Sequence, residues 1–196
     1  MNSSKLIFLA FLPIFLVYLP GCGDNPKGEA SPFTGDYIIT KASLTETLVL
    51  NTNEMGAIEL AKDTDITPII QKALLGAVEC AHDSSLIELR EDLSLYLSCA
   101  SSGTELDGGT WEEQSETVIL LKMNSTAIPG SATGLGLSVA DLTFVDNILS
   151  GESSIPLPRD MLADIVASMS AGLATLDLEN TSLAVPLSFT IKLGKQ

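Results

Sequence analysis

Hydrophobic and polar residues alternate along much of the chain, and this alternation is the pattern of half-buried β-strands. The clearest example is the segment Leu93–Cys99, and the segment Val185–Leu193 near the end of the chain repeats it. The apolar positions of the first segment are Leu93, Leu95, Leu97 and Cys99, and those of the second are Val185, Leu187, Phe189, Ile191 and Leu193. Because successive side chains of a strand point to opposite faces, we expect both apolar sets to face one interior.

Other short segments are rich in β-branched residues, lie between turn residues and are predicted strands. They are Asp36–Ala42, Thr45–Leu50, Ile58–Leu60, Leu86–Arg90, Thr110–Gln114, Glu116–Met123, Leu135–Val139, Leu142–Val145 and Leu176–Leu178. The alternation changes phase near Ala140–Asp141, which predicts a β-bulge or a bend. Pro186 predicts an edge or the beginning of a strand, because proline has no N–H to donate to a sheet.

Two segments have helical periodicity instead. Apolar residues recur every three or four positions between Asp63 and Ala77, where Thr67 can cap the helix and Pro68 can occupy its first turn. The second predicted helix, Pro158–Leu173, has an apolar stripe made of Leu162, Ile165, Val166, Met169 and Leu173. About eight to ten short strands with two helices predict a mainly β protein, an antiparallel β-barrel or sandwich.

Residues 1–22 have a different composition from the rest of the chain. Met1–Lys5 is short and weakly basic, and Leu6–Leu19 is almost wholly apolar. A basic start, an apolar stretch of about 7–15 residues and a small residue at the cleavage point describe a secretory signal peptide. The apolar stretch is shorter than the roughly 20 residues that a helix needs to cross a bilayer.

This segment ends in Leu19–Pro20–Gly21–Cys22, which resembles the lipobox of bacterial lipoproteins, with Pro20 as a departure from the small or β-branched residue usual there. The resemblance implies that residues 1–21 are removed and that Cys22 is acylated. It also implies a lipid-anchored protein of the cell envelope, in the outer membrane if the host has one, because glycine rather than aspartate follows the cysteine. An ordinary secreted protein and an uncleaved membrane anchor are the alternatives.

The mature chain is expected to consist of a tether and one domain. Residues 22–34 are rich in glycine, proline and polar residues, which predicts a flexible tether, and residues 35–196 have the length of a single β-rich domain. The formal net charge changes from −15 to −16 when Lys5, the only charge in the removed segment, is lost. This acidic excess excludes nucleic acid as a partner, and contact with the membrane must come through the lipid.

Cys80 and Cys99 are the cysteines that remain once Cys22 is acylated. A cysteine pair in an exported protein predicts a disulfide, and two buried free thiols are the alternative. Cys99 lies on the inward face of its strand, so a bridge would attach the end of the first helix to that strand. Closing such a loop adds roughly 3 kcal/mol to stability in the chain-entropy model.

Patterns typical of catalytic or metal sites are scarce. The chain has no nucleophile elbow, glycine-rich phosphate loop, HExxH or CxxC pattern, and His82 is its only histidine. Asp63 and Asp65 have the spacing of two calcium ligands without the rest of an EF-hand loop, and they equally suit the start of a helix. A second group of neighbouring acidic residues consists of Glu112, Glu113 and Glu116. Such carboxylates lie at a solvated strand edge more often than they take part in catalysis. We expect no enzyme, cofactor or metal.

Trp111, the only tryptophan, begins a predicted strand directly after Gly109–Thr110. The order along the chain is Cys80, Leu86–Leu89, Cys99, Gly109-Thr110-Trp111 and then a strand with Ile119 and Leu121. This order resembles the small lipocalin-like domains of bacterial lipoproteins over about Gly35–Met123. Two helices, few aromatic residues and the lack of an N-terminal Gly-x-Trp depart from that pattern.

The resemblance implies a barrel with an apolar interior that holds a small hydrophobic ligand or lipid. The residues expected to contact such a ligand are Trp111, Leu95, Leu97 and Phe189. Ordinary core packing is the alternative role for Trp111. The alternative function is a structural or protein-interaction lipoprotein with a filled core, which an exposed apolar patch on the Pro158–Leu173 helix would favour.

Overall fold

The computed structural model describes residues 30–78, 80, 81, 84–126, 134–182 and 184–196. The predicted signal peptide, Cys22 and His82 lie outside the described residues. The strands within them are β1 (Gly35–Leu44), β2 (Leu48–Thr52), β3 (Gly56–Leu60), β4 (Ser85–Leu89), β5 (Ser94–Cys99), β6 (Glu105–Ser115), β7 (Val118–Met123), β8 (Leu135–Val145), β9 (Ile148–Pro158) and β10 (Ala184–Lys195). The helices are α1 (Thr67–Leu75), which follows β3, and α2 (Arg159–Met169), which follows β9.

Eight strands form a closed antiparallel barrel in the order β1-β10-β9-β8-β7-β6-β5-β4. The barrel closes where Gly35–Tyr37 of β1 pairs with Ile87–Leu89 of β4. The mainly β prediction is therefore confirmed, and the barrel is the form that the fold takes. β2 and β3 form a separate two-stranded sheet.

The two ends of the barrel differ in what covers them. The turns after β4, β6 and β8 lie at the end where β1 begins and β10 ends, which we call the N-terminal end. The opposite end carries the β2–β3 hairpin and both helices, and we call the residues Thr45–Leu75 and Arg159–Asn180 the cap. Backbone hydrogen bonds join its two parts, from Asn53 N–H to Thr175 O (3.1 Å) and from Asp177 N–H to Asn51 O (2.9 Å).

Helix α1 covers the part of β1 that β4 does not reach. The Ala42 N–H donates to the Thr67 hydroxyl oxygen (2.8 Å), and Ile66 N–H donates to the Ala42 carbonyl (2.9 Å). The buried Gln71 amide donates to the Ile39 carbonyl (3.1 Å). These bonds satisfy backbone groups of β1 that would otherwise form an open edge.

The start of α1 differs in one detail from the prediction. Thr67 is the first helical residue rather than the cap, and its N–H donates to Asp65 Oδ1 (2.9 Å). The Thr67 hydroxyl donates to the same carboxylate oxygen (2.6 Å). Asp65 therefore satisfies the Thr67 N–H, one of the backbone donors that a helix leaves free in its first turn.

Helix α2 is shorter than predicted. It ends at Met169, and the next residues, Ala171 and Gly172, have positive φ of 52° and 78°. Leu162, Ile165 and Val166 are buried as expected, but Met169 is 48% exposed and Leu173 is 73% exposed. The reversal of the backbone removes Leu173 from the apolar stripe, so that part of the prediction was wrong.

Strand β9 is the element that the sequence patterns missed, and the predicted strand Leu176–Leu178 is only a single bridge between Leu176 and Thr52. The inward positions of β9 are Leu149, Gly151, Ser153, Ile155 and Leu157. Glycine and serine at two of these positions weaken the apolar alternation. Gly151 is required by packing, because a Cβ there would lie 2.7 Å from the Val139 side chain.

Two predicted irregularities are confirmed. The register between β8 and β9 shifts between Ala140 and Thr143, with Asp141 at a φ of 52°, so β8 contains the expected bulge. Pro186 lies near the start of β10, in a stretch that pairs with β9, whereas the pairing of β10 with β1 begins only at Phe189. A missing N–H therefore costs no hydrogen bond on that side.

Leu93 does not join the inward set of β5. It lies in the β4–β5 turn with a φ of 66° and is 48% exposed, and the strand begins at Ser94. Its N–H donates to Arg90 O (3.0 Å), which places this residue in the left-handed conformation that closes the hairpin. Leu95, Leu97 and Cys99 do point inward, so the inward apolar set of β5 begins two residues later than predicted.

We predict that Leu93→Gly raises the free energy of unfolding by about 0.5–1 kcal/mol. The left-handed conformation costs a leucine roughly 1–2 kcal/mol, and glycine offsets part of that gain through its larger unfolded-state entropy. Urea unfolding measures the change. Leu173→Gly, at an exposed leucine without positive φ, is the control and should not stabilise. A destabilised Leu93→Gly protein would mean that the Leu93 side chain contributes more by packing than its conformation costs.

Candidate functional site

The residues predicted to contact a ligand all lie in the barrel core. Leu95, Leu97 and Phe189 have no accessible surface, and Trp111 is 1% exposed. All four belong to one apolar cluster that also includes inward side chains of the other barrel strands. The structure therefore brings the four predicted residues together, and the side chains that surround them belong to the protein itself.

The side chains at the centre of the barrel are packed against one another. A void of the size of a water molecule would leave accessible surface on the side chains that line it. Residues from four different strands have none: Tyr37 of β1, Leu97 of β5, Ile119 of β7 and Phe189 of β10. Close packing of this kind is typical of protein cores.

Trp111 has a structural hydrogen bond for its one polar atom. Its indole Nε1–H donates to the Arg90 carbonyl (2.9 Å), and its backbone N–H donates to the Leu93 carbonyl (2.9 Å). Both acceptors lie at the β4–β5 turn. The Trp111 side chain thus ties β6 to that turn and leaves no donor free for a ligand.

The N-terminal end of the barrel is covered by the segment Ala30–Thr34. Phe33 is buried in the core cluster, and its carbonyl accepts a hydrogen bond from the Tyr37 hydroxyl (2.8 Å). The Ser31 hydroxyl donates to Glu113 Oε2 at the end of β6 (2.8 Å), and Lys195 Nζ donates to the Thr34 carbonyl (2.6 Å). The segment runs from β1 to β6, so it crosses the mouth of the barrel with Phe33 beneath it.

Cys80 and Cys99 form the predicted disulfide, with an S–S distance of 2.03 Å and Cα atoms 5.8 Å apart. Cys99 is buried on the inward face of β5, and Cys80 follows α1. The bridge therefore links the chain leaving the cap to the wall of the barrel, as expected.

The acidic residues considered for catalysis lie at the surface, and two of the three bind other side chains of the protein. Glu112 Oε2 accepts a hydrogen bond from Lys122 Nζ (2.6 Å), and this bond lowers the pKa of the Glu112 carboxyl. Glu113 holds Ser31, and Glu116 lies in the exposed β6–β7 turn. Asp65 accepts hydrogen bonds from Thr67 at the start of α1, and these bonds lower the pKa of Asp65. Within the described ranges, no three histidine, cysteine, aspartate or glutamate side chains are grouped as metal ligands would be.

An open groove of about 390 Å³ lies between α1 and α2, and the sequence patterns did not predict it. Its apolar lining is Leu60, Pro68, Ile69, Met161, Ile165 and Met169, and its polar lining is Thr64, Asp65, Lys72 and Asp164. Lys72 Nζ of α1 lies 2.7 Å from Asp164 Oδ2 of α2, so an ion pair joins the two helices at the groove. The one sequence feature that could have indicated this groove was the excess of apolar residues on two short helices.

In the part of the chain that the structure describes, no helix has both the length and the apolar character needed to cross a bilayer.

Comparison with known proteins identifies no relative. No family model matches the chain, and neither a curated protein nor a solved structure matches it. What the protein does must therefore be inferred from its own residues.

Tyr37 predicts an alkaline limit to stability. Burial of its phenol, with a smaller effect of the Asp36 charge, raises the pKa of Tyr37 to about 12. The unfolded chain loses this proton near pH 10, so the folded state binds more protons between pH 10 and 12, and stability falls as the pH rises through that window. Urea unfolding should show a loss of up to about 2–3 kcal/mol in this interval.

Tyr37→Phe should remove most of that dependence on pH and lower stability at pH 7 by about 1–2 kcal/mol, because the Phe33 carbonyl loses its donor. Tyr96→Phe retains Tyr37 and is the matched control. An unchanged alkaline slope in Tyr37→Phe would show that other groups cause it.

Proposed function

We propose that this protein is an exported, lipid-anchored component of the bacterial cell envelope that binds another protein through its cap and catalyses no reaction. The observation that supports this proposal best is the contrast between the two apolar regions of the molecule. The side chains of the barrel interior are buried against one another, whereas the groove between the helices of the cap is open.

The position of the chain's N-terminal segment supports an orientation on the membrane. The described chain begins with Ala30 at the N-terminal end of the barrel, and seven residues, or eight Cα–Cα steps, separate it from Cys22. Such a segment spans at most roughly 29 Å when extended and about 16 Å on average as a flexible chain. With Cys22 acylated, the N-terminal end would stay close to the bilayer and the cap would face away from it.

A carrier of a small hydrophobic ligand is the second candidate function. A closed eight-stranded barrel is of the size that in other proteins holds one small ligand, and its interior is lined by apolar side chains. Binding inside would require displacement of Phe33 from the mouth and of core side chains such as Phe189. We favour the interaction protein because its surface is already accessible.

A hydrophobic fluorescent probe separates the two functions. We expect no saturable binding of the probe inside the wild-type barrel, so any probe that binds the open groove of the cap should be unaffected by Phe33→Ala. We expect Phe189→Ala to lower the free energy of unfolding by about 3–5 kcal/mol. Phe33→Ala uncovers the mouth of the barrel and should cost stability without producing probe binding. Phe144→Ala, at a phenylalanine that is 43% exposed, is the matched control and should have little effect. Saturable binding of one probe per wild-type molecule, strengthened by Phe33→Ala, would establish the carrier instead.

Metabolic labelling with radioactive palmitate tests the anchor. The wild-type protein should be labelled, and Cys22→Ala should lose the label because the acylated sulfur is gone. Cys80→Ser removes a different cysteine and should remain labelled, so it controls for nonspecific loss. Equal labelling of the wild type and Cys22→Ala would contradict the lipid anchor. Fractionation of labelled cells then tests the outer-membrane location.

A further inference from the structure

We propose that the groove between α1 and α2 binds a cationic amphipathic helix of the partner protein. This inference rests on one part of the proposed function, namely that the cap faces away from the membrane and is accessible to a partner. It adds the place on the cap where the partner binds and the chemistry by which the partner is recognised.

The groove has the form that suits an apolar helix face. Leu60 and Ile165 are buried at its base, while Met169 remains 48% exposed at its side. A groove between two helices accepts side chains from one face of a third helix, at positions i, i+3 or i+4, and i+7. Met161 and Met169 contribute flexible, polarisable side chains that adapt to the shape of the occupant.

The charge of the cap selects a cationic occupant. The cap contains nine acidic and three basic residues, and the groove itself contains Asp65 and Asp164. Two of the three cations are already engaged, since Arg159 donates to the Leu178 carbonyl (2.8 Å) and Lys72 pairs with Asp164. Lysine or arginine residues beside the apolar face of a bound helix would therefore meet carboxylates. A second copy of this chain, with its own net charge of −15, would be repelled.

The ion pair between Lys72 and Asp164 can open for a ligand. The two side chains are 60% and 66% exposed, and pairs exposed in this way are held weakly. A partner cation can replace Lys72 at Asp164 while apolar side chains enter below. Lys72 therefore competes with the partner, and its removal should strengthen binding.

A synthetic helical peptide with leucine on one face and lysine on the other is the probe. Fluorescence anisotropy would measure the binding of the peptide to the full protein. The protein would be purified from host membranes and placed in phosphatidylcholine nanodiscs. If the protein carries no lipid, the same measurement would be made in buffer. We expect saturable binding of one peptide per protein. A peptide with glutamate in place of lysine should bind at least about tenfold more weakly, a difference of about 1.4 kcal/mol.

Paired variants locate the binding to the groove. Met161→Gln with Met169→Gln removes apolar lining without changing charge and should weaken binding about tenfold. Met55→Gln alters a methionine that is 58% exposed in the same cap but outside the groove lining, and it should change the affinity less than twofold. Lys72→Met should strengthen binding about threefold, and Lys62→Met, which removes a cap cation outside that lining, should do so by less.

Absence of saturable binding would overturn the inference. So would equal affinity in all variants, which would indicate adsorption to the acidic surface, or equal binding of the lysine and glutamate peptides. Sedimentation that shows a dimer lost in the double methionine variant would assign the groove to self-association and also overturn it. If the double variant does not fold, the comparison of Lys72→Met with Lys62→Met decides. An unlabelled Cys22 together with peptide binding would refute the anchor alone, and a labelled Cys22 without peptide binding would refute this inference alone.

Discussion

The pairing of β1 with two partners is the constraint on which the rest of this structure depends. β1 pairs with β10 along most of its length, from Tyr37 to Leu44, but with β4 only at Gly35–Tyr37. The barrel is therefore closed at its N-terminal end, and the remainder of β1 needs other hydrogen-bond partners. The chain entering α1 and α1 itself supply them at the carbonyls of Ile39 and Ala42. An open strand edge would otherwise expose backbone groups and invite aggregation.

The position of α1 explains why the protein has an open apolar surface at all. One side of α1 is used by β1, as Gln71 and the buried Ile70 and Leu74 show. Helix α2 buries Leu162 and Val166 and leaves Met169 accessible. Two short helices that serve the barrel in this way do not also bury each other's remaining apolar residues. The groove is the gap between them, joined by one exposed ion pair.

Many of the acidic residues have local structural roles in addition to their contribution to net charge. Asp65 holds the start of α1, Asp177 accepts hydrogen bonds from Asn180, and Glu54 accepts two from Thr175 and joins the β2–β3 hairpin to the segment after α2. Hydrogen bonds from these partners lower the pKa of each of the three carboxyl groups. Carboxyl groups with ordinary pKa values are already ionised at neutral pH, and the lowered pKa values extend this charge to more acidic solutions. The negative charge of the cap opposes self-association.

Features that depend on local periodicity could be predicted from the order of residues alone. Alternation with a period of two identified β5 and β10 and their inward faces, and helical spacing identified α1 and α2, because each pattern is set by the geometry of a single element. The disulfide was also predictable, because the signal-peptide pattern predicts export, two cysteines remain besides Cys22, and one of them lies on an inward face. Conversely, Leu93 and Leu173 were misplaced because a positive φ at or near each residue ends the regular pattern.

Other features depend on contacts between distant parts of the chain and became visible only in the folded protein. Strand β9 has small or polar residues at two inward positions, and contact with Val139 is the reason why Gly151 stands at one of them. The sequence of a filled barrel and that of a hollow barrel alternate in the same way. The burial of Trp111 and Phe189 therefore depends on how side chains from different strands pack inside the barrel. The groove was equally unpredictable, because the faces that two helices leave uncovered depend on where the barrel holds each of them.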